Sequence, residues 1–405
     1  MRCAGAVTII TAMPLIDPNT WSRRELLALA AQLSAGATAA AVWPVSMAAQ
    51  ALPGKDARLV ARSVRPPDYE TPVALLDTFL TPNDVFYVRC HMPVPAAPNE
   101  AAWTLTVGGE VGSPLSLSVA ELRQLPAASV TVTLECAGNG RVFFDPPVAG
   151  IQWRKGAVGT SKWTGVRLAE LLKRAGAKAG MTHVHASGAD RPMGTQPPFV
   201  RQVPMPKALD PDTIVAYAMN DQPIPLAHGF PLRLVVPGWE GAYAIKWLTT
   251  LTVAAKEHDG FWVQTGYRYP TKRVAPGAAV DPKDLAPLTG LVVKSLITRP
   301  LDGTVVPPGP VTVAGFAWAG DRDIAKVDVS VDSGATWQPA RLIGQAVKYA
   351  WRRFEFTFTA TTQDTHTILS RATDSRGAVQ PVVPAWNPSG YLWNAPDTVR
   401  VEVKA

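Results

Sequence analysis

Beyond its first fifty positions, this 405-residue chain has no run of eighteen apolar residues, so no membrane-spanning helix is expected in its body. Cysteine is scarce: Cys3, Cys90 and Cys136 cannot build a disulfide framework or a four-ligand zinc site. There is no C-x-x-C-H for covalent haem, no H-E-x-x-H, no P-loop and no G-x-S-x-G nucleophile elbow. The formal charge is +7, but no dense Lys/Arg tract carries it, which argues against nucleic acid as a partner. Scattered arginines suit small anions better. No internal repeat is present. Proline is abundant, 38 in all, and favours short strands and ordered loops over long helices.

The N-terminal region, residues 1–51, reads as a leader. Arg23 and Arg24 follow Ser22 and precede Leu26 and Leu27, and an uncharged, Ala-rich stretch runs from there to Gln50. Ala49-Gln50-Ala51 is a small-x-small cleavage pattern. The twin arginine fits the pathway that exports folded proteins, so the expected location is the periplasm. Met13 lies nearer the usual distance from the twin arginine than Met1 does, and Cys3 falls in the segment expected to be removed.

Residues 60–285 mix short strands with few helices. "LAELLKRA", Leu168 to Ala175, has apolar residues at 168, 171, 172 and 175 and predicts one helix. "WTLTVGG", "VHASG" and "FPLRLVV" read as strands ended by Gly or Pro. Helices do not alternate with strands, so α+β is expected rather than a doubly wound sheet. Residues 271–290, rich in Pro, Gly and Ala, read as a linker. From 290 to 405, short alternating strands at near-regular spacing predict an all-β sandwich of about seven strands, without the paired cysteines of an antibody domain.

One stretch stands out, "VTVTLECAGNGR", residues 130–141. Alternation predicts a strand that delivers Cys136 to a loop of small residues ending in Arg141. Most lone cysteines are small buried hydrophobes. A strand-to-loop junction, however, aims a reactive group, and a nearby arginine favours thiolate, so Cys136 is expected to be a nucleophile or a metal ligand. Other segments carry cations beside strands. "FYVRCHMPVP" gives Arg89 and His91 on one face and Cys90 on the other, where a Ser substitution is expected to be nearly silent. "GIQWRKGAVGTSKW" gives Trp153, Arg154 and Lys155; "HGFPLRLVVPGWEGAYAIKWL" gives His228, Arg233 and Lys246; "TGYRYP" gives Tyr267 and Arg268. Such side chains grip phosphate and oxyanions through charge-assisted hydrogen bonds.

Taken together, "ECAGNGR", "HGFPLRLVVPGWEGAYAIKWL", "AKVDVSVDSGATWQ" and "PAWNPSGYLWN" resemble the sulfite oxidase family of molybdopterin enzymes, and most of all the bacterial periplasmic sulfite dehydrogenases. The resemblance runs from about residue 65 to 400. It implies an α+β sulfite-oxidase-type molybdopterin domain at 60–285, followed by an immunoglobulin-like dimerisation domain at 290–405. It further implies a molybdenum ion held by the Cys136 thiolate and the dithiolene of one molybdopterin. A soft, charged sulfur donor suits such an ion. His91, His228, Arg233 and Lys246 would contact the cofactor. Arg89, Arg141, Trp153 and Tyr267 would line the substrate pocket, with Tyr269 as the alternative tyrosine. The implied reaction is oxidation of sulfite to sulfate. Electrons would pass to an external c-type cytochrome, possibly a separate haem subunit, because no haem- or flavin-binding segment is recognisable. The same scaffold also supports sulfane dehydrogenation and sulfoxide reduction. A non-catalytic exported binding module is the reading from another class, disfavoured by intact Cys136, Arg89 and Arg141. A departure accompanies the resemblance. Where animal enzymes place an arginine before the glycine of "W-N-x-R-G", this chain has Ser389, which makes the pocket less positive.

Overall fold

The structure is a computed structural model and describes residues 52–361 and 365–404. The expected leader, with its twin arginine and Cys3, lies outside the described residues.

The described region before residue 290 is built from three larger sheets and a two-stranded one. The smallest of the three joins Val60–Val64, Pro67–Glu70 and Val88–Arg89. A second orders Gln222–Pro223, Ile214–Met219, Val158–Arg167 and Ala127–Glu135, with Arg233–Val235 also paired to Ile214–Met219. The third orders Leu115–Ser118, Thr104–Gly109, Leu248–Ala254, His183–Gly188 and Val200–Pro204. Only the pairing of Thr104–Gly109 with Leu248–Ala254 is parallel among these strands. The α+β expectation holds, and the predicted helix forms at Leu168–Ala175. Its leucines at 168, 171 and 172 and Ala175 are buried, and it stops at Gly176, whose φ of 64° suits a residue without Cβ. Among the described residues no helix is long and apolar enough to cross a membrane.

Ala127–Glu135 pairs with Val158–Arg167 along its whole length, in a register that sets Glu135 opposite Val158. The alternation of Val130, Val132 and Leu134 with threonines is that of a strand buried on one face. Burial instead becomes complete toward its C-terminal end, because the threonine side is covered too. Thr133 Oγ1 bonds Thr160 Oγ1 at 2.6 Å and accepts from the Trp351 N–H at 2.7 Å.

After residue 290, Lys294–Arg299, Gly309–Trp318, Arg352–Ala360 and Arg341–Ile343 form one sheet. Thr304–Val306, Asp397–Val403, Thr365–Asp374, Ile324–Ser330 and Gln338–Pro339 form the other. Val313, Val327, Phe354, Ile368 and Val401 share a core between them. The sandwich therefore has more strands than the seven expected. The additional ones, such as Thr304–Val306 and Gln338–Pro339, are two or three residues long and too short to show alternation. The expected linker is also partly ordered: Leu285–Pro287 pairs with Arg268–Pro270.

Candidate active site

Cys136 sits where the buried strand gives way to a tight turn. Its N–H donates to the Ala157 carbonyl at 2.9 Å, and its carbonyl accepts from the Asn139 N–H at 2.8 Å. Asn139 locks the turn, donating to Glu135 Oε1 at 2.8 Å and accepting from the Ala157 N–H at 3.1 Å. Gly140 has φ 96°, and a Cβ there would lie 2.6 Å from the Trp393 ring. The turn thus needs glycine for its backbone and for an approach from the second region. Burial pushes the Cys136 thiol up, while Arg89 and Arg141 pull it back toward thiolate. Desolvation outweighs the two arginines, and the thiol is held above its ordinary value.

Two cavities meet at this sulfur. The inner one is lined by His91, His228, Arg233 and Lys246, together with Glu240 and Asp190. The outer one is lined by Arg141, Trp262, Ser389 and Tyr391. Arg89, Cys136 and Tyr267 line both. Of the expected cofactor residues His91, His228, Arg233 and Lys246 thus line the inner cavity, while of the expected substrate residues Arg141 lines the outer one and Arg89 and Tyr267 border both.

Each cation is anchored from behind. Arg89 Nη1 pairs with the fully buried Asp68 at 3.1 Å and donates to its neighbour's carbonyl at Cys90. Asp68 also accepts from the Cys90 N–H at 3.0 Å. Arg141 donates to the carbonyls of Ile151 at 2.9 Å and Ser389 at 3.1 Å, and its guanidinium lies over the Tyr391 ring. A Cβ on Gly138, Gly150 or Gly390 would come within 2.6 to 2.8 Å of that side chain. Arg233 donates to the His228 carbonyl at 3.0 Å and lies over Trp163. Lys246 donates to Cys90 Sγ at 2.8 Å and to the Ala227 carbonyl at 3.1 Å.

Tyr267 hydrogen-bonds His91 through its hydroxyl and stacks on Tyr391, ring centroids 5.5 Å apart and 4° from parallel. Its φ of 56° is unusual for an aromatic residue. Tyr269 is half-buried and lines neither cavity, so the geometry places Tyr267 at the site. Trp153 does not join the cavity walls. It is fully buried and edge-on to Tyr87, and its Nε1–H finds no partner among the described residues.

Sequence reasoning missed Asp68, Glu240, Tyr391 and Lys55. Asp68 and Lys55 act through long-range contacts that leave no periodic signal. Tyr391 sits inside a quoted motif, two residues past Ser389, and could have been found there.

The inner cavity concentrates positive charge. Burial pushes Arg233 down to about 10 and lowers Lys246. His228 is held well below its ordinary value by burial and by the neighbouring Lys55, Arg233 and Lys246. Arg233 Nε has no hydrogen-bond partner among the described residues. Gathered cations with an unused donor suit a buried anion such as a phosphate ester. The soft Cys136 sulfur at the far wall suits a metal.

Residues 91–262 match the oxidoreductase molybdopterin binding domain, and residues 286–404 match the Mo-co oxidoreductase dimerisation domain. The chain is 39% identical over 370 residues to mitochondrial sulfite oxidase of Rattus norvegicus, covering 87% of this chain and 67% of that protein. It is 39% identical over 362 residues to sulfite oxidase of Gallus gallus, covering 85% and 78%. With sulfite oxidase of Arabidopsis thaliana it shares 33% over 348 residues, covering 79% and 87%. The structure is similar to the sulfane dehydrogenase SoxCD from Paracoccus pantotrophus, with a TM-score of 0.73 and 28% identity over 85% of this chain and 88% of that one. The chain spans about two thirds of the length of the rat and mouse relatives, 67% and 65%. These matches define a molybdopterin-dependent oxidoreductase with a dimerisation domain. The chain belongs to the sulfite oxidase family, and its cofactor is accordingly the molybdenum–molybdopterin of that family.

Proposed function

We propose that this protein oxidises sulfite to sulfate and passes the two electrons to an external c-type cytochrome. The observation that carries the reading is the position of Cys136, at the meeting of a cation-lined inner cavity and an arginine-lined outer one. Bound molybdenum cofactor supplies two-electron redox and oxygen-atom transfer. His91, His228, Arg233 and Lys246 hold the pterin and its phosphate in the inner cavity, and Cys136 is the protein's ligand to the metal. Arg89 and Arg141 hold the oxygens of the anion in the outer cavity, each kept in place by a partner of its own. Tyr267, bonded to His91, keeps a hydroxyl between the two sides. Trp153 stands behind this wall against Tyr87, its indole N–H without a partner among the described residues.

A second reading is favoured by the outer cavity itself. Ser389 stands where animal enzymes have an arginine, and Tyr391 adds an aromatic surface. Both make the mouth less cationic, which fits a sulfane-sulfur substrate and parallels the similarity to a sulfane dehydrogenase. Steady-state kinetics on the cofactor-loaded protein decide between them, with sulfite and thiosulfate oxidised against cytochrome c or ferricyanide and sulfoxides reduced by a dithionite-reduced viologen. The proposal predicts the highest kcat/KM for sulfite; a higher value for thiosulfate or a sulfoxide would replace it.

Three further features complete the proposal. The Ser22-Arg23-Arg24 leader directs folded export to the periplasm. A separate haem subunit can serve as the acceptor. The 290–405 region pairs two copies as a symmetric dimer, as its match to a dimerisation domain suggests; a monomer mass by light scattering at micromolar concentration would remove that part.

A further inference from the structure

Lys55 is a buried lysine that no motif singles out. Its Nζ lies 2.5 Å from the Asn83 carbonyl, 2.7 Å from the Phe86 carbonyl and 2.9 Å from His228 Nε2. It is 9% exposed. An ammonium carries three hydrogens and no lone pair, so each of the three contacts takes one hydrogen. His228 Nε2 is then an acceptor, and the ring proton must sit on Nδ1. That leaves Nδ1–H as the ring donor available to the inner cavity that His228 lines.

We propose that Lys55 is a positioning residue for the cofactor pocket, fixing His228 in the Nδ1–H tautomer so that the ring donates to an anionic ligand. The inference rests on the reading of the inner cavity as the pterin-phosphate site. An acceptor nitrogen facing a phosphate oxygen repels it, whereas an N–H binds it, so the tautomer decides the sign of the contact. The Asn83 carbonyl supplies the alternative. It holds Lys55 at 2.5 Å, and Lys55 in turn holds His228 Nε2 at 2.9 Å, so without the lysine this carbonyl is left free to accept from the ring instead. The choice between the two tautomers thus falls to one buried amine. Removing a partner that orients a ligand-binding histidine typically lowers affinity about 10- to 100-fold in metal sites, and a comparable loss is expected here.

The test uses full-length protein with 15N-labelled histidine, measured at pH 6. Burial pushes Lys55 down to about 7, so it carries its proton there, while His228 stays neutral. Wild type should show His228 protonated on Nδ1, and Lys55→Met should show it on Nε2. The rate at which molybdenum and pterin leave the folded protein should rise about tenfold or more in Lys55→Met. Lys55→Arg, which keeps a cationic donor, should restore both the tautomer and retention in large part. A purely structural lysine would lower the melting temperature and leave tautomer and retention unchanged, and that result overturns the proposal. So does an Nε2–H tautomer in wild type, which can be read even if Lys55→Met fails to fold. His228→Leu, needed to assign the signal and without a donor, separates the two layers. Full cofactor retention in that variant refutes the pterin-phosphate reading, whereas the tautomer measurement judges Lys55 alone.

Discussion

Lys294, on the first strand after the segment joining the two regions, reaches back to Glu135 at 2.8 Å, the residue immediately before Cys136. The same carboxylate accepts from Trp318 Nε1 at 2.8 Å and from Asn139 Nδ2 at 2.8 Å, and Lys294 also donates to the Asn139 carbonyl at 3.0 Å. The second region is therefore a structural part of the cysteine turn. Removing one partner of a buried ion pair strands the other, at a cost of about 3 to 5 kcal/mol. Lys294→Met should lower stability by that order in denaturant unfolding and reduce cofactor content with it. Wild-type stability in Lys294→Met would show that Glu135 does not depend on the second region.

Gly138 tests the crowding around Arg141. A Cβ at this position would lie 2.6 Å from the guanidinium carbon, which is clamped by the carbonyls of Ile151 and Ser389 and cannot swing aside freely. Gly138→Ala should cost about 1 to 3 kcal/mol, the usual range for overpacking. It should also lower kcat/KM for sulfite more than an equally destabilising substitution in the sandwich core. Equal effects from both would mean that Arg141 does not need its present position.

Much of this site was legible because the sequence concentrates it. Cys136 and Arg141 share one turn, and the alternation of Val130, Val132 and Leu134 marks the strand that delivers it. The helix Leu168–Ala175 shows its apolar spacing openly, and forms where that spacing places it. Less legible were the groups that hold the site from behind. Asp68, Glu135, Lys55 and Lys294 find their partners across 21 to 173 positions, and such pairings are decided by packing. Glu135 was quoted with its motif yet gave no hint that Trp318 and Lys294 would converge on it. The sandwich was readable as a class but not in strand number, because its edge strands are too short to alternate.

Arg89→Gln should lower kcat/KM for sulfite about ten- to hundredfold at equal molybdenum content, the loss of one charge-assisted hydrogen bond to an anion. Most of the change should appear in KM, with a smaller fall in kcat. Glutamine is chosen over methionine because it leaves a donor for the buried Asp68. An unchanged KM in loaded protein would remove Arg89 from substrate binding.

Cys90 has a partner that its place in the sequence did not suggest, since its sulfur accepts from Lys246. A serine keeps an acceptor there, so Cys90→Ser should still be nearly silent. Cys90→Ala should release Lys246 from one of its two anchors and speed cofactor loss severalfold, measured as molybdenum retained after prolonged dialysis. Identical retention in the serine and alanine variants would show that the Lys246–Cys90 contact does not matter to the pocket.

Cys136 is assigned as the protein's sulfur on molybdenum, and X-ray absorption at the molybdenum edge tests this directly. Wild type should show three sulfur neighbours, two from the dithiolene and one from the thiolate. Cys136→Ser, with little change in side-chain volume, should keep its fold and bound metal, lose one sulfur neighbour, and lose sulfite turnover. A sulfur count that stays the same in Cys136→Ser, or near-normal turnover by that loaded variant, would contradict the assignment.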